Sequence, residues 1–297
     1  MTNGEVLEKM LQDMKMRNFS HYTYEFYIGK TKEMMRYFNK PIEEVTIEEY
    51  RDYLYKHLLQ ERKLCDHTVN HYNSVIRFML EVTLDRLINK KQIPMRKRKK
   101  EVYKVLTQEE LSTFFSLCDN YKFKTIFMLV YGSGLRIGEV VNLHKSDIDS
   151  KAMRIFVREG KGNKERYTIL PKVSLKMLRK YWKDYRPKVK TDKIFLNDLN
   201  EPINQYVIRT HFRKYRRKAK ISEKATVHTL RHNFATNLIE NGASLIQVKE
   251  LMGHSNIRST MEYIHVAKVD LGVKSPVDIL VEGVKKDGKN TGNIETI

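Results

Sequence analysis

The sequence is poor in cysteine and contains no long hydrophobic run. Its 297 residues include only two cysteines, Cys65 and Cys118, which lie far apart and lack the spacing of a metal site. We therefore expect two buried thiols rather than a disulfide. No apolar stretch approaches the roughly 18–20 residues that a membrane helix needs, and the N-terminus lacks the apolar segment of a secretory signal. These absences predict a cytoplasmic protein without a membrane partner.

Basic residues are in large excess. Lysine and arginine total 56 against 36 aspartate and glutamate residues, which gives a formal net charge of +20. An excess of this size predicts a polyanion partner, because basic side chains neutralise phosphates and release counterions. The alternative is a merely basic soluble protein. A membrane surface is disfavoured, since no basic amphipathic helix with an exposed apolar face stands out.

The first 88 residues have the pattern of a helical domain. Apolar residues recur at helical spacing, and polar residues that can cap helices precede them. Ser20 can cap a second helix, Thr46 with Glu49 forms a capping-box pattern before a third, and Asp66 can cap a fourth. The many tyrosines here are expected to be half-buried helix residues rather than platforms for base stacking.

Residues 89–104 differ sharply in composition. Eight of these sixteen residues are lysine or arginine, Pro94 disfavours a helix, and the apolar period disappears. We expect a basic linker that lies along DNA phosphates, because like charges at this density repel unless an anion separates them. The alternative is a solvated tether. The candidate DNA-binding residues are Arg96, Lys97, Arg98, Lys99 and Lys100.

A second domain is predicted over residues 105–268, mainly helical but with one β-hairpin. Thr107 and Glu110 form a further capping box, and residues 122–131 form a buried helix. Alternating residues within 153–170, with glycines between them, predict the hairpin. Further helices are predicted at about 173–185, 203–219, 228–241, 244–252 and 256–265. The tail, 269–297, is polar and glycine-rich; we expect a segment that docks on a neighbouring subunit, followed by disorder.

Several segments contain residues suited to binding a phosphate. Arg136 follows a glycine-containing turn at a helix start, with Glu139 one turn later. His228 and Arg231 are three residues apart near the start of another helix and share a face. An arginine fork suits a phosphate because it binds two oxygens at once and stays charged. The alternative is that these are ordinary solvated polar side chains.

Three other residues belong to the same C-terminal helical region. His254 lies in a turn after Gly253, and Tyr263 lies on the last helix, where a tyrosine is usually a core residue. His232 is about 100° around its helix from Arg231, so we expect it to have a structural role.

Taken together, these segments resemble the signature motifs of the tyrosine recombinase, or phage integrase, family, in particular its Xer-like and transposon-borne members. The similar segments are YGSGLRIGEVVNL, GKGNKER, HTLRHNFATNLIENG and LMGHSNIRSTMEYIHV, and the resemblance extends over residues from about 20 to 268. The family's catalytic pattern falls here on Arg136, Lys161, His228, Arg231, His254 and Tyr263. Lys164 competes with Lys161 for the lysine position.

The resemblance implies a fold and a reaction. The fold would be mainly α: a helical core-binding (SAM-like) domain and an α+β catalytic domain with a small antiparallel sheet. Tyr263 would attack a DNA phosphate and form a 3′-phosphotyrosyl bond. Arg136 and Arg231 would clamp the phosphate, and Lys161 would protonate the leaving 5′ oxygen.

The remaining site residues are given supporting roles by the same resemblance. His228 would assist proton transfer from Tyr263, and His254 would contact the phosphate. Glu139 would orient Arg136, with Asp147 a weaker candidate for such support.

The resemblance also bears on partners and alternatives. The expected partner is double-stranded DNA, bound by a homotetramer with a dimer on each site, in a nucleoid-associated cytoplasmic protein. Neither a cofactor nor a metal is expected, and no arm-binding domain is expected, because the core-binding helices begin close to the start of the sequence. The alternatives are an inactive DNA-binding regulator and a type IB topoisomerase-like enzyme. Integration, transposition, inversion and resolution all remain open.

Overall fold

The computed structural model describes residues 1–89, 91–97, 104–158, 165–264 and 267. The chain divides into two compact units, Met1–Glu101 and Val102–Ile297. Both are mainly helical, and the second also contains a three-stranded antiparallel sheet, which confirms the predicted fold class.

Among its described residues the first unit contains four α-helices and a short 3-10 helix, Ile42–Glu44. The α-helices are α1 (Asn3–Met16), α2 (His21–Phe38), α3 (Ile47–Asp52, which continues in a π-helical stretch, Tyr53–Glu61) and α4 (Asp66–Phe78, which continues as Met79–Thr83). Ser20 and Thr46 accept hydrogen bonds from the backbone three residues later, so both predicted caps are confirmed. Their apolar faces meet in a core rich in methionine and tyrosine.

Two expectations for the first unit were wrong. Cys65, in extended conformation, is the N-cap of α4, whereas Asp66 is the first helical residue and not the cap. A carboxylate is nevertheless favourable in the first turn, where the positive end of the helix dipole lies. Both cysteines are free thiols, but only Cys118 is buried; Cys65 is exposed.

The first half of the basic segment packs against α4. Ile93 is buried in the core of the first unit, and the side chain of Asn73 donates to the carbonyl of Pro94 at 3.0 Å. Asn70 holds the backbone of Arg96 from both sides, at 2.8 and 3.0 Å. The side chain of Arg96 forms an ion pair with Asp66 at 2.5 Å, and Lys97 is exposed. Arg98, Lys99 and Lys100 lie outside the described residues.

The second unit contains eight helices and three strands among its described residues. The helices are α5 (Gln108–Leu117), α6 (Tyr121–Ser133), α7 (Ile137–Val141), α8 (Lys172–Lys180, which continues as Tyr181–Tyr185), α9 (Gln205–Lys218), α10 (Val227–Glu240), α11 (Leu245–Met252) and α12 (Arg258–Met261). Thr107 and Glu110 form the predicted capping box of α5. The predicted helix at 256–265 is shorter than expected over its described residues, 256–264, of which only Arg258–Met261 is α-helical.

The predicted hairpin is present, with one additional short strand. Strands β1 (Ile148–Asp149), β2 (Arg154–Val157) and β3 (Arg166–Ile169) form an antiparallel sheet in that order. Val157 pairs with Arg166 at the end of the hairpin. The hairpin tip, residues 159–164, lies outside the described residues, and with it Lys161 and Lys164.

Helices α6 and α10 pack against each other in the interior of the second unit. Gly134 ends α6 with a φ of 63°, and a Cβ there would lie 2.3 Å from the Phe234 ring on α10. Only glycine permits both this backbone conformation and this close approach. The turn before α7 therefore lies directly against α10. Among the residues that the structure covers, no helix is both long enough and apolar enough to span a bilayer.

Candidate active site

A polar cavity of about 370 Å³ opens on the second unit. Residues at the start of α7, on α10 and from the chain after α11 surround it. They are Arg136, His228, Arg231, His232, Gly253, His254, Ser255, Ser259, Glu262 and Tyr263. Five of the six residues predicted as catalytic thus line one cavity, and the sixth, Lys161, lies outside the described residues.

Arg136 is fixed at the N-terminus of α7. Its backbone N–H donates to Glu139 Oε2 at 2.7 Å, and its guanidinium donates to Glu139 Oε1 at 2.8 Å. A third hydrogen bond, to the carbonyl of Gly253 at 3.2 Å, connects it to the turn after α11. The sequence prediction that Glu139 contacts Arg136 is therefore consistent with this geometry.

Arg231 lies deeper in the same cavity and is 1% exposed. Its guanidinium donates to the carbonyls of Gly134 and Met252, and lies 3.7 Å from Glu139. Burial and the nearby charge of Arg136 lower the pKa of Arg231 to about 9, which still leaves it cationic at neutral pH. A buried cation held by carbonyl groups is oriented for an anionic ligand before that ligand arrives.

Arg166 completes this network, although the sequence did not single it out. It forms two hydrogen bonds to Glu139, both at 2.8 Å, and its Nε donates to the carbonyl of Leu251 at 2.9 Å. Burial raises the pKa of Glu139, but the hydrogen bonds and charge of Arg166, with help from Arg136 and Arg231, lower it to about 2. Three arginines therefore surround a single carboxylate, and this excess of positive charge suits an anion.

Three histidines line the cavity, and all are neutral at pH 7. Burial and the charges of Arg231 and Arg136 lower the pKa of His228 and of His254 to about 4. Burial, with His228 and the adjacent Arg231, lowers that of His232 to about 3. Neutral imidazoles can each donate one hydrogen bond and accept another.

Tyr263 is 4% exposed and lies between two of these histidines. Its hydroxyl is 3.0 Å from Nδ1 of His232, and its ring lies parallel to that of His254, with centroids 6.1 Å apart. His254 in turn is 2.9 Å from the hydroxyl of Thr260. His232 therefore faces the cavity, where the sequence analysis had not placed it.

The place of His232 in the cavity follows from its spacing relative to His228. His232 is four residues after His228, so the two share a helix face, and their rings contact with centroids 5.2 Å apart. The sequence contained this i, i+4 signal, but the prediction compared His232 only with Arg231.

Asp147 does not line the cavity. It lies in the turn before β1, where it accepts from the backbone of His144 at 2.8 Å and from Arg158 at 2.5 Å. Neither partner lines the cavity. Since Arg158 directly follows β2, Asp147 is placed to hold the base of the hairpin rather than Arg136.

The cavity combines an arginine pair, neutral histidines and a tyrosine hydroxyl. A phosphodiester could bind its oxygens to the arginines while the hydroxyl attacks phosphorus. Among the described residues, no group of three or more histidine, cysteine or acidic side chains could hold a metal ion.

Comparison with known proteins identifies two family regions. The profile of the phage integrase family matches residues 104–269, and that of the phage integrase N-terminal SAM-like domain matches residues 6–90. A putative integrase/recombinase (y4qK) of Sinorhizobium fredii is 32% identical over 92% of this chain and 88% of its own length. The tyrosine recombinase XerC of Bacillus pumilus is 30% identical over 86% of this chain and 89% of its own length.

Solved structures show the same fold. XerA recombinase matches with a TM-score of 0.52 at 24% identity, over 97% of this chain and all of that one. The Tn1549 transposon integrase, in complex with a circular intermediate DNA, matches with a TM-score of 0.68 at 18% identity, over 95% of this chain and 99% of that one.

Proposed function

Because this chain belongs to the phage integrase family and is a tyrosine-type site-specific recombinase, we propose that it cleaves and rejoins DNA through Tyr263. The hydroxyl of Tyr263 would attack a phosphodiester, form a 3′-phosphotyrosyl bond and release a 5′-hydroxyl. The observation that carries this proposal is that the Tyr263 hydroxyl shares one cavity with the paired guanidiniums of Arg136 and Arg231.

The arginines would act on the phosphate oxygens. Arg136 and Arg231 would hold the two non-bridging oxygens and stabilise the charge that grows there at the transition state. Glu139 keeps both oriented, and it is itself fixed by Arg166. This preorganisation supports catalysis without rearrangement of the clamp.

Two further residues would complete the reaction. Lys161 would donate a proton to the 5′ oxygen as it leaves, as the resemblance of the hairpin motif implies. His254, neutral and lining the cavity, would donate a hydrogen bond to the phosphate. The phosphotyrosyl bond conserves the energy of the broken bond, so rejoining needs no nucleotide cofactor.

Double-stranded DNA is the proposed partner. The related Tn1549 integrase is described in complex with DNA, and the net charge of +20 on this chain suits a polyanion. A homotetramer with a dimer on each of two paired sites would then exchange strands, in the cytoplasm and on the nucleoid. Segment 269–297 would begin with the part that docks on a neighbouring subunit.

The test is covalent capture on a nicked duplex. Cleavage near the nick releases a short fragment with the 5′-hydroxyl end, so the strand cannot be rejoined and the protein stays attached to the DNA. Wild-type protein should accumulate a protein–DNA adduct, and Tyr263→Phe should form none while it binds DNA with similar affinity. The control, Tyr185→Phe, removes an exposed hydroxyl in the same unit and should behave as wild type.

The products separate the alternatives. Exchange between two duplexes supports recombination, whereas relaxation of supercoiled plasmid without exchange indicates topoisomerase activity. Binding without any wild-type adduct indicates an inactive regulator and contradicts the proposal.

A further inference from the structure

His232 is in direct contact with the hydroxyl oxygen of Tyr263, the proposed reacting atom. Its Nδ1 lies 3.0 Å from the Tyr263 hydroxyl, a distance typical of a hydrogen bond. We propose that His232 accepts this hydrogen bond, holds the hydroxyl in the cavity and takes its proton as the oxygen attacks phosphorus. The inference rests on the proposed function and transfers to His232 the proton-transfer role that the family resemblance implies for His228.

The surroundings of His232 fix its orientation. It projects from α10 one turn after His228, whose ring meets it almost at a right angle, with an interplanar angle of 87°. The Tyr263 ring also contacts it, tilted by 47°, with centroids 5.5 Å apart. Side chains held by packing on a helix position a reacting group more accurately than side chains on a loop.

The protonation state of His232 suits an acceptor. Among the described residues, the groups near it include His228, Arg231, His254 and Tyr263, and burial with the first three lowers its pKa to about 3. It is therefore neutral at pH 7, with one ring nitrogen able to accept. Negative charge that develops on phosphorus offsets the nearby Arg231, so the imidazole becomes more basic as the proton moves.

The proton balance closes over a full cycle. As the Tyr263 oxygen bonds to phosphorus, its proton passes to Nδ1, and the 5′ oxygen leaves with a proton from the general acid. In rejoining, the 5′-hydroxyl loses its proton to that same group and attacks phosphorus. The Tyr263 oxygen then leaves and recovers its proton from the imidazolium of His232.

The test compares His232→Ala and His232→Asn with wild type at saturating protein on the nicked duplex. His232→Ala should slow adduct formation by about 100-fold, a typical contribution of acid–base catalysis. In His232→Asn an amide oxygen can occupy the position of Nδ1 and accept the hydrogen bond, but it cannot take the proton. Its rate should lie between the two. His144→Asn, a change at a histidine outside the cavity, is the matched control and should leave the rate unchanged.

A sulfur leaving group separates a defect on the nucleophile side from one in protonation of the leaving group. A 5′-bridging phosphorothiolate needs no proton when it leaves, so it should not rescue either His232 variant, whose defect is on the nucleophile side. Adduct formation by both variants within about threefold of wild type overturns the proposal, and so does full rescue by sulfur. If His232→Ala does not fold, the rate and sulfur response of His232→Asn decide. Absence of a wild-type adduct contradicts the proposed function instead.

Discussion

Glu139 shows at the residue scale how one buried carboxylate organises the site. It is 7% exposed in its side chain and accepts from Arg136 and from Arg166. Removing one partner of a buried ion pair costs more than the pair contributes, because the remaining charges lose their compensation. Arg136 and Arg231 should therefore depend on Glu139 for their orientation, and the folded protein should depend on it for stability.

Glu139 should also confer a pH dependence on stability. Its pKa is about 2 in the folded protein, against 4.5 for the free side chain. A lowered folded pKa stabilises the protein above pH 4.5, and this contribution is lost as the pH falls toward 2. The shift corresponds to about 3 kcal/mol of unfolding free energy.

We predict that Glu139→Gln lowers the free energy of unfolding by about 3 kcal/mol at pH 7 and flattens its decline in acid. Denaturant titrations at several pH values measure both effects. Glu223→Gln, which neutralises a carboxylate that is 89% exposed, should change neither. Wild-type stability that is equal at pH 5 and pH 3, or an unaltered acid profile in Glu139→Gln, would show that Glu139 is not held as an ion.

At the scale of elements, the hairpin is fastened at its base on both strands. Arg158, after β2, pairs with Asp147, and Arg166, the first residue of β3, pairs with Glu139. The second pair connects the hairpin directly to the carboxylate that orients Arg136. Strand β3 is therefore anchored, through Arg166, to the carboxylate beside Arg136.

We predict that Lys161→Ala slows cleavage strongly and that a 5′-bridging phosphorothiolate restores the rate. The sulfur leaves without a proton, so loss of the general acid no longer matters. Single-turnover cleavage with the oxygen and sulfur substrates measures the effect. Lys164→Ala is the matched variant and should cleave both substrates as wild type does. Rescue of Lys164→Ala instead would move the acid role to that residue.

The elements also show which features a sequence reveals. The caps at Ser20 and Thr107 could be predicted because each side chain bonds to the backbone three residues later. Arg166 could not be assigned, because its partners Glu139 and Leu251 are 27 and 85 residues away in the chain. His232 lies between these cases: its spacing from His228 was visible, but its bond to Tyr263 joins residues 31 apart.

At the scale of the whole molecule, part of the excess positive charge is already paired with carboxylates of the protein. In the basic segment Arg96 is already paired with Asp66, and Asn70 holds its backbone. A DNA phosphate that bound Arg96 would therefore have to compete with the carboxylate of Asp66 for this side chain. Contacts between basic side chains and phosphates set the affinity and register of DNA binding rather than the preference for a DNA sequence.

We predict that replacing Arg96, Lys97, Arg98, Lys99 and Lys100 with glutamine weakens binding to specific and random duplexes by similar factors. It should flatten the dependence of log K on log salt by up to roughly 4.5 units if all five contact phosphate, at about 0.9 per contact. Titrations at several salt concentrations measure the slope. An unchanged slope would mean a solvated tether, and a loss confined to the specific site would mean that the segment reads the DNA sequence.

The central claim is that Tyr263 carries the DNA during the reaction, and the most direct test is to locate the covalent bond. The wild-type adduct is digested with trypsin and nuclease and mapped by mass spectrometry. Cleavage after Arg258 and Lys268 releases a peptide, residues 259–268, that contains a single tyrosine. We predict a nucleotide remnant on Tyr263 in this peptide. A remnant on any other residue, or DNA cleavage with no protein–DNA bond, would contradict the account.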